Sequence, residues 1–503
     1  MRHSFPLITP VLALILILPT ARSLFIRPFD QRPYEQQHWF ETRQDTLPDP
    51  DPSKSATSLI IDTFQNPLHN DLGFWHGTGE NLTLHHEPGF MRLFPNDPDQ
   101  NFHTQFNTHE CFSLIPWEDQ YLHVVFEGNE EFTVSLNEHN AECNPARSPF
   151  PGVPDSVQAS RYIMRTRSGS LDNGDDDWDD SSKLGRPKMP VKDGFKNDTR
   201  DGGHQHPAWA TRTELFIPLS HFRINKNRVV SVSFTGFYTD EPITLYRVEF
   251  VPHVPHPSAS NNYFTIPEKL PTGKLILRCS RPNSFAFGID DGQPQYAQQV
   301  MRILDEENVR VTFFAVATGL RDRSTNFTNF YREMMRKGHQ VALHSNTHPK
   351  MESLPTLHEI DDEIVQSIRT LRDQLNIGCT FNPPITAWAL TLTVSSTARY
   401  FRPPFGTVGV RLRQRLAQYI DDPYIVNWSV DVEDWLWENT TTPERQLGAF
   451  YRDVARGGNL AVMHYLNPIT AGYLRHFIRH VKGLGLNVMR VDQCLEDPNS
   501  PAL

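Results

Sequence analysis

The chain has 503 residues, 38% of them hydrophobic and 11% aromatic, with a formal net charge of −11 at pH 7. That length exceeds one ordinary core, so two domains are expected. The acidic balance argues against nucleic acid or an anionic membrane as the main partner.

Residues 1–23 combine a basic start, an apolar stretch and a small-x-small ending at Ala21-Arg22-Ser23, the pattern of a secretory signal peptide. No later segment has the roughly 20 apolar residues that span a bilayer. The mature chain is therefore expected to be secreted, extracellular or in a cell wall, without a membrane span. Residues 24–57 are rich in Pro, Asp, Gln and Arg and read as a linker.

Residues 58–254 carry short aromatic or alternating runs such as "QYLHVVFEG", "EFTVSLNEHN", "TELFIPLSHF" and "VVSVSFTGFY". Runs of this kind, broken by Gly, Asn and Pro, predict an all-β sandwich or jelly roll. A polar excursion over about 144–212 contains "DNGDDDWDDSS". It matches no EF-hand spacing and reads as a solvated, disordered loop. Residues 255–274 form a second linker.

Beyond it the texture changes. "SFAFGI" reads as a strand and Pro294–Glu307 as a helix; "VRVTFFAV" is a strand and Phe327–Lys337 a helix. "HQVALH", helix Leu357–Leu375, "YIVNWSVD", helix Pro443–Arg456, "NLAVMH", helix Ala471–Lys482 and "NVMRV" complete the alternation. Strands alternating with helices mean parallel βαβ units, and about seven of them predict a distorted (β/α) barrel. An open doubly wound sheet is the alternative, without a Gly-rich phosphate fingerprint to support it.

Of the five cysteines, Cys279 precedes the first strand of this half and Cys494 follows the last, so a bridge would clamp the domain's ends. Cys111 and Cys143 are the natural second pair, which leaves Cys379. Asn81, Asn197, Asn326 and Asn439 lie in glycosylation sequons. Asn427 also matches, but its apolar, strand-like surroundings read as buried.

Barrel enzymes carry their chemistry at the C-terminal ends of strands. Those ends hold Asp290 and Asp291; His344 and His348; Arg402, Phe405 and Gly406; Asp431, Asp434 and Trp435; and His464. His344 and His348 read as one helical turn apart, facing one point. With an acid from a neighbouring strand they form a two-His, one-carboxylate site for a divalent metal. Such an ion acidifies water and polarises a carbonyl. The lone HxxxH pair is a weak signal; the convergence of five strand ends is a specific one.

These five segments, in this order, resemble the motifs of the NodB-homology polysaccharide deacetylases, carbohydrate esterase family 4, over about residues 275–497. The resemblance implies that Asp290 is the general base and that Asp291, His344 and His348 hold the metal, zinc in the family. Arg402 would hold Asp290 ionised. The backbone N–H of Phe405, where the family more often has Tyr, would stabilise the oxyanion. Asp434 would orient His464, which protonates the leaving amine. Trp435 and Met463, the latter replacing the usual Leu, would line the acetyl pocket. Two positions depart from the Thr-Phe-Asp-Asp-Gly pattern, namely Gly288 and Ile289, and Tyr465 stands where the family often has Asp.

The implied function is removal of N-acetyl groups from chitin or a related glycan. The alternatives are an O-acetyl xylan-type esterase on the same site, and a catalytically inactive glycan-binding protein. The stretch Cys379–Arg399, "CTFNPPITAWALTLTVSSTAR", replaces what in the family is a connection of a few residues. It reads either as translated intron, the favoured reading, or as a loop near the active-site mouth.

Overall fold

The computed structural model describes residues 57–164, 212–255, 265–377, 379–381, 392–394 and 399–503. The expected signal peptide, almost all of the first linker, all of 165–211 with Asn197, 256–264 of the second linker and most of 379–399 lie outside the described residues. No helix among the described residues is long and apolar enough to cross a membrane.

The N-terminal domain begins with β1 (Leu59–Asp62), β2 (His76–Gly79), β3 (Thr83–Glu87), β4 (Phe90–Phe94) and β5 (Asn101–Gln105). Then follow β6 (Tyr121–Gly128), β7 (Thr133–Glu138), β8 (Pro154–Gln158), β9 (Thr213–Pro218), β10 (Val229–Thr235) and β11 (Ile243–Val251). One sheet runs β3-β4-β11-β6-β9 with β1 added to β11; the other runs β2-β5-β10-β7-β8. This is the expected sandwich. Alternation explains it: Leu122, Val124 and Phe126 of β6 face Val232 and Phe234 of β10 in one apolar core. Cys111 and Cys143 are paired.

The polar excursion is shorter than its composition suggests. β8 lies inside it and pairs with β7 from Thr133↔Gln158 to Asn137↔Pro154. "PDSVQ" carries no apolar alternation; Asp155 and Ser156 are buried against partners from elsewhere in the chain.

The C-terminal domain adds β12 (Lys274–Ile276), β13 (Ser284–Gly292), β14 (Thr312–Ala315) and β15 (Gln340–Leu343). A separate antiparallel pair, β16 (Cys379–Phe381) and β17 (Leu392–Val394), lies in the unusual stretch. β18 (Tyr400–Phe401), β19 (Tyr424–Val426), β20 (Val430–Asp431), β21 (Leu460–Tyr465) and β22 (Asn487–Met489) complete it. The helices are α1 (Pro294–Glu306), α2 (Ala317–Arg321), α3 (Phe327–Arg336), α4 (Leu357–Leu375), α5 (Val410–Tyr419), α6 (Asp434–Trp437), α7 (Arg445–Ala455), α8 (Pro468–Gly483) and α9 (Val491–Cys494).

The parallel sheet runs β12-β19-β18-β15-β14-β13-β21-β20, with β22 beside β13. Its end strands do not pair with each other among the described residues, so the expected barrel is an open, curled one. "YIVNWSVD", expected as one strand, is two: β19 pairs with β12 and β18, whereas β20 pairs with β21 on the far side. The break at Asn427-Trp428-Ser429 carries the chain across the mouth of the curl.

Successive side chains of each strand go to opposite layers. Phe313, Leu343, Ile425 and Met463 pack outward against the helices, while Phe314, Ala342, Val426 and Leu460 fill the inside. α4 starts where sequence chemistry dictates: the Thr356 hydroxyl accepts from the Glu359 N–H and the Glu359 carboxylate accepts from the Thr356 N–H, a capping box. It stops at Asn376, whose φ of 55° is left-handed. Cys279 and Cys494 join the approach to β13 to the end of α9.

The two domains meet along the second sheet of the sandwich. His103, Asn137, Ser231 and Ser233 on its outer face are polar yet buried. Residues of the barrel reach this face: Arg413 of α5 donates to the Pro154 carbonyl at 3.1 Å and to Ser156 Oγ at 3.4 Å.

Candidate active site

β13 ends in two acids with different neighbours. Asp290 is buried inside the curl. Its Oδ1 accepts from Arg402 Nη1 at 2.7 Å, and its Oδ2 lies 3.8 Å from His344 Nε2. Asp291 is partly exposed; its Oδ2 lies 3.1 Å from His348 Nε2 and its Oδ1 lies 3.9 Å from His344 Nε2. One ligand atom each from Asp291, His344 and His348 falls within 4.8 Å of the other two. His344 Nδ1 donates to the Arg402 carbonyl at 2.7 Å, which directs the lone pair of Nε2 at the shared point. Burial, relieved in part by Asp291, lowers the His344 imidazole to about 3, so the ring is neutral, as a ligand must be. The three residues therefore fit a divalent cation.

His344 and His348 do not lie on a helix, contrary to the expectation. They sit in a loop after β15 in which Ser345 (φ 62°) and His348 (φ 66°) are left-handed. The tight wrap, not a helical period, turns both rings inward. Glu363 of α4 holds the loop's back, accepting from the N–H groups of Asn346 and Thr347 at 2.8 Å each.

Arg402 is fully buried. Its Nε donates to the Val426 carbonyl at 2.8 Å and its Nη2 to the Asn427 carbonyl at 3.3 Å, with its guanidinium 4.2 Å from the Phe314 ring centroid. Burial raises the Asp290 carboxyl above its ordinary range, while Arg402 and His464 pull it down. Arg402 thus limits the upward shift without reversing it.

On the opposite wall, Asp434 opens α6 and holds His464 at the end of β21. Its Oδ1 accepts from His464 Nδ1 at 2.9 Å, and its Oδ2 accepts from the His464 backbone N–H at 2.6 Å. Burial lowers the imidazole's pKa, but the Asp434 carboxylate, with Asp290 and Asp291 behind it, raises it to about 10. Asp431 serves the backbone instead, accepting from the Glu433 N–H at 2.7 Å, and burial raises its carboxyl to about 7.

These groups line one cleft of about 570 Å³, open to solvent, that holds Asp290, Asp291, His344, His348, Phe405, Trp435 and His464. Phe405 packs edge-on against His348 at 4.8 Å, with a left-handed backbone (φ 62°). Gly406 follows at φ 72°, and a Cβ there would sit 2.5 Å from the Trp428 ring. Asn427 Nδ2 donates to the Gly406 carbonyl at 2.8 Å, so its amide braces this loop. Asn81, Asn326 and Asn439 are exposed.

Met463 does not line the cleft. It is fully buried in the outer apolar layer, and the wall is formed by its neighbours Val462 and Leu466. Strand alternation is the reason: residues at even spacing from His464 share its face. Gly406, read at its strand end, also lines the cleft, and so do Trp428 and Pro403, which were missed. Val462 was recoverable from the period of two; Trp428 was hidden because its segment read as continuous strand.

Residues 278–419 match the family described as Polysaccharide deacetylase. A chitin deacetylase of a Pestalotiopsis species is 24% identical over 233 residues, 46% of this chain and 70% of that protein. A peptidoglycan-N-acetylglucosamine deacetylase of Listeria monocytogenes is 25% identical over 237 residues, 47% of this chain and only 43% of that protein, so the chain spans less than half of that relative. Among solved structures, the chitin deacetylase of Colletotrichum lindemuthianum aligns with 45% of this chain and 94% of its own at 21% identity, with a TM-score of 0.37.

Proposed function

We propose that this chain, whose residues 278–419 match the polysaccharide deacetylase family, is a secreted, metal-dependent deacetylase. It removes N-acetyl groups from N-acetylglucosamine units of chitin or a related glycan. The observation that carries this reading is the convergence in one cleft of a three-ligand cation site, a buried carboxylate and a histidine paired with a carboxylate.

A divalent cation, zinc by family resemblance, held by Asp291, His344 and His348 supplies Lewis acidity toward the acetyl carbonyl and the attacking water. The chain's own residues do the rest. Asp290, with Oδ1 held by Arg402, takes the water's proton on Oδ2. The Phe405 N–H is assigned as a donor to the developing oxyanion. His464, its Nδ1–H engaged by Asp434, gives a proton from Nε2 to the leaving amine. Trp435, Val462 and Leu466 form the wall that receives the acetyl methyl. Base and acid must hold opposite protonation states at one pH, and their different neighbours provide for that.

Acetate release from chitin oligomers and from acetylxylan, with and without chelator, tests the reading. Chelator-sensitive release from chitin oligomers is expected, and release from acetylxylan alone would favour the O-acetyl esterase. Absence of release from every acetylated glycan would leave the binding-protein reading.

A further inference from the structure

The loop that presents His348 leaves β15 through two left-handed residues, an arrangement that persists only when its surroundings impose it. Glu363 grips the loop before His348. After His348 the grip comes from the other domain. Lys350 Nζ lies 2.7 and 2.9 Å from the two carboxylate oxygens of Asp97, and 2.5 Å from Asp99 Oδ2. The Asp99 side chain is fully buried and that of Lys350 is partly buried, 15% exposed.

The turn that offers these acids, Pro95 to Gln100 between β4 and β5, is held by its own hydrogen bonds. Asp97 Oδ1 accepts from the Asp99 N–H at 2.9 Å, and Gln100 Oε1 accepts from the Asn96 N–H at 2.8 Å. The Pro98 carbonyl accepts from the Gly236 N–H at 3.2 Å, tying the turn to the end of β10.

The same face of the sandwich reaches the loop that carries Phe405. Thr407, two residues further, is buried beside Asp99. The Val410 N–H meets Thr133 Oγ1 at 3.5 Å, and Thr133 is hydrogen-bonded to Tyr238 at 2.7 Å. The Arg411 guanidinium stacks 4.0 Å from the Tyr238 ring centroid. Both strand-end loops that turn toward the cleft from this side therefore rest on one rigid polar surface of the sandwich.

We propose that Asp97 and Asp99 are positioning residues of the active site: from the β domain, through Lys350, they fix the loop that presents His348, so the sandwich is part of the catalytic unit. The proposal rests on the metal-dependent reading of the cleft. Orientation of a ligand's supporting shell is worth about 10–100-fold in metal affinity or activity. The loss should fall on metal affinity and kcat, with little change in KM, because Lys350 touches no substrate.

The test uses the full chain. Zinc affinity is measured by competition with a chromogenic chelator, and kcat and KM by acetate release from chitin oligomers, for wild type, Asp99→Asn, Asp97→Asn and the Asp99→Asn/Lys350→Met double variant. Arg456→Ala is the control. It removes interdomain hydrogen bonds to the Ala146 and Pro145 carbonyls, away from both loops.

The expected result is a loss of about tenfold or more in zinc affinity and kcat for Asp99→Asn, with the double variant losing no more. Arg456→Ala should lower only the melting temperature. If Asp99→Asn does not fold, the partly exposed Asp97→Asn carries the same readouts. Folded acid variants within twofold of wild type in both quantities, or an Arg456→Ala variant with the same losses, would overturn the proposal. A wild type that binds zinc but releases no acetate from any glycan removes the deacetylase reading instead, and the zinc ratios still decide the clamp.

Discussion

Gly288 and Arg402 fit together because the glycine has no side chain: a Cβ on Gly288 would lie 2.6 Å from the guanidinium carbon of Arg402. The guanidinium cannot swing away without giving up the Val426 and Asn427 carbonyls and the Asp290 carboxylate. The departure from the family's Thr at this position is therefore matched to how Arg402 lies here.

Restoring the family residue should harm this protein. Gly288→Thr is expected to displace Arg402 from Asp290, lower kcat by tenfold or more and cost about 1–3 kcal/mol of stability through overpacking. Steady-state kinetics and urea unfolding check both. An active, stable Gly288→Thr would show that Arg402 has room to lie elsewhere.

Asp434→Asn should cost about 10²-fold or more in kcat, the usual scale for a positioned general acid. It removes the carboxylate that raises the His464 imidazole and so moves the basic limb of the pH–rate profile to lower pH. A variant with reduced kcat and an unmoved basic limb would assign Asp434 a purely structural role.

Much of this site was legible in the sequence because barrel chemistry sits at strand ends, so the order Asp290-Asp291, His344-His348, Arg402, Asp434, His464 could be read before any coordinates. What was not legible depends on backbone direction. Met463 came from the resemblance to a family position that usually holds Leu, whereas the strand's period of two puts Val462 on the face of His464. The break of "YIVNWSVD" into β19 and β20 has no Gly or Pro to mark it; Asn427 and Ser429 are polar, but they flank a Trp428 that is apolar and nearly buried, so the run reads as one alternating strand. β8 and the Asp97–Asp99 turn were passed over because their polar residues are buried by a partner domain, and such burial has no hydrophobic pattern to announce it.

His339 supplies a pH-dependent element of stability away from the active site. Burial, helped by Arg310, Lys337 and Arg490 and opposed by Asp305, lowers its imidazole to about 4, and Nδ1 accepts the Val311 N–H at 3.2 Å. A folded-state value below the unfolded one means the contribution is complete above the unfolded value of about 6.5. It is lost as pH falls toward 4 and amounts to up to about 3 kcal/mol. His339→Asn, which keeps an acceptor but cannot titrate, should flatten the decline of melting temperature between those pH values. An unchanged slope would contradict the assignment.

In the proposed site two adjacent acids divide the labour, Asp291 on the cation and Asp290 free beside Arg402. The most direct measurement is zinc binding together with acetate release from chitin oligomers for wild type, Asp290→Asn and Asp291→Ala. Asp290→Asn should bind zinc as wild type does and lose turnover, whereas Asp291→Ala should lose both. Wild-type zinc affinity in Asp291→Ala, or retained turnover in Asp290→Asn, would contradict it.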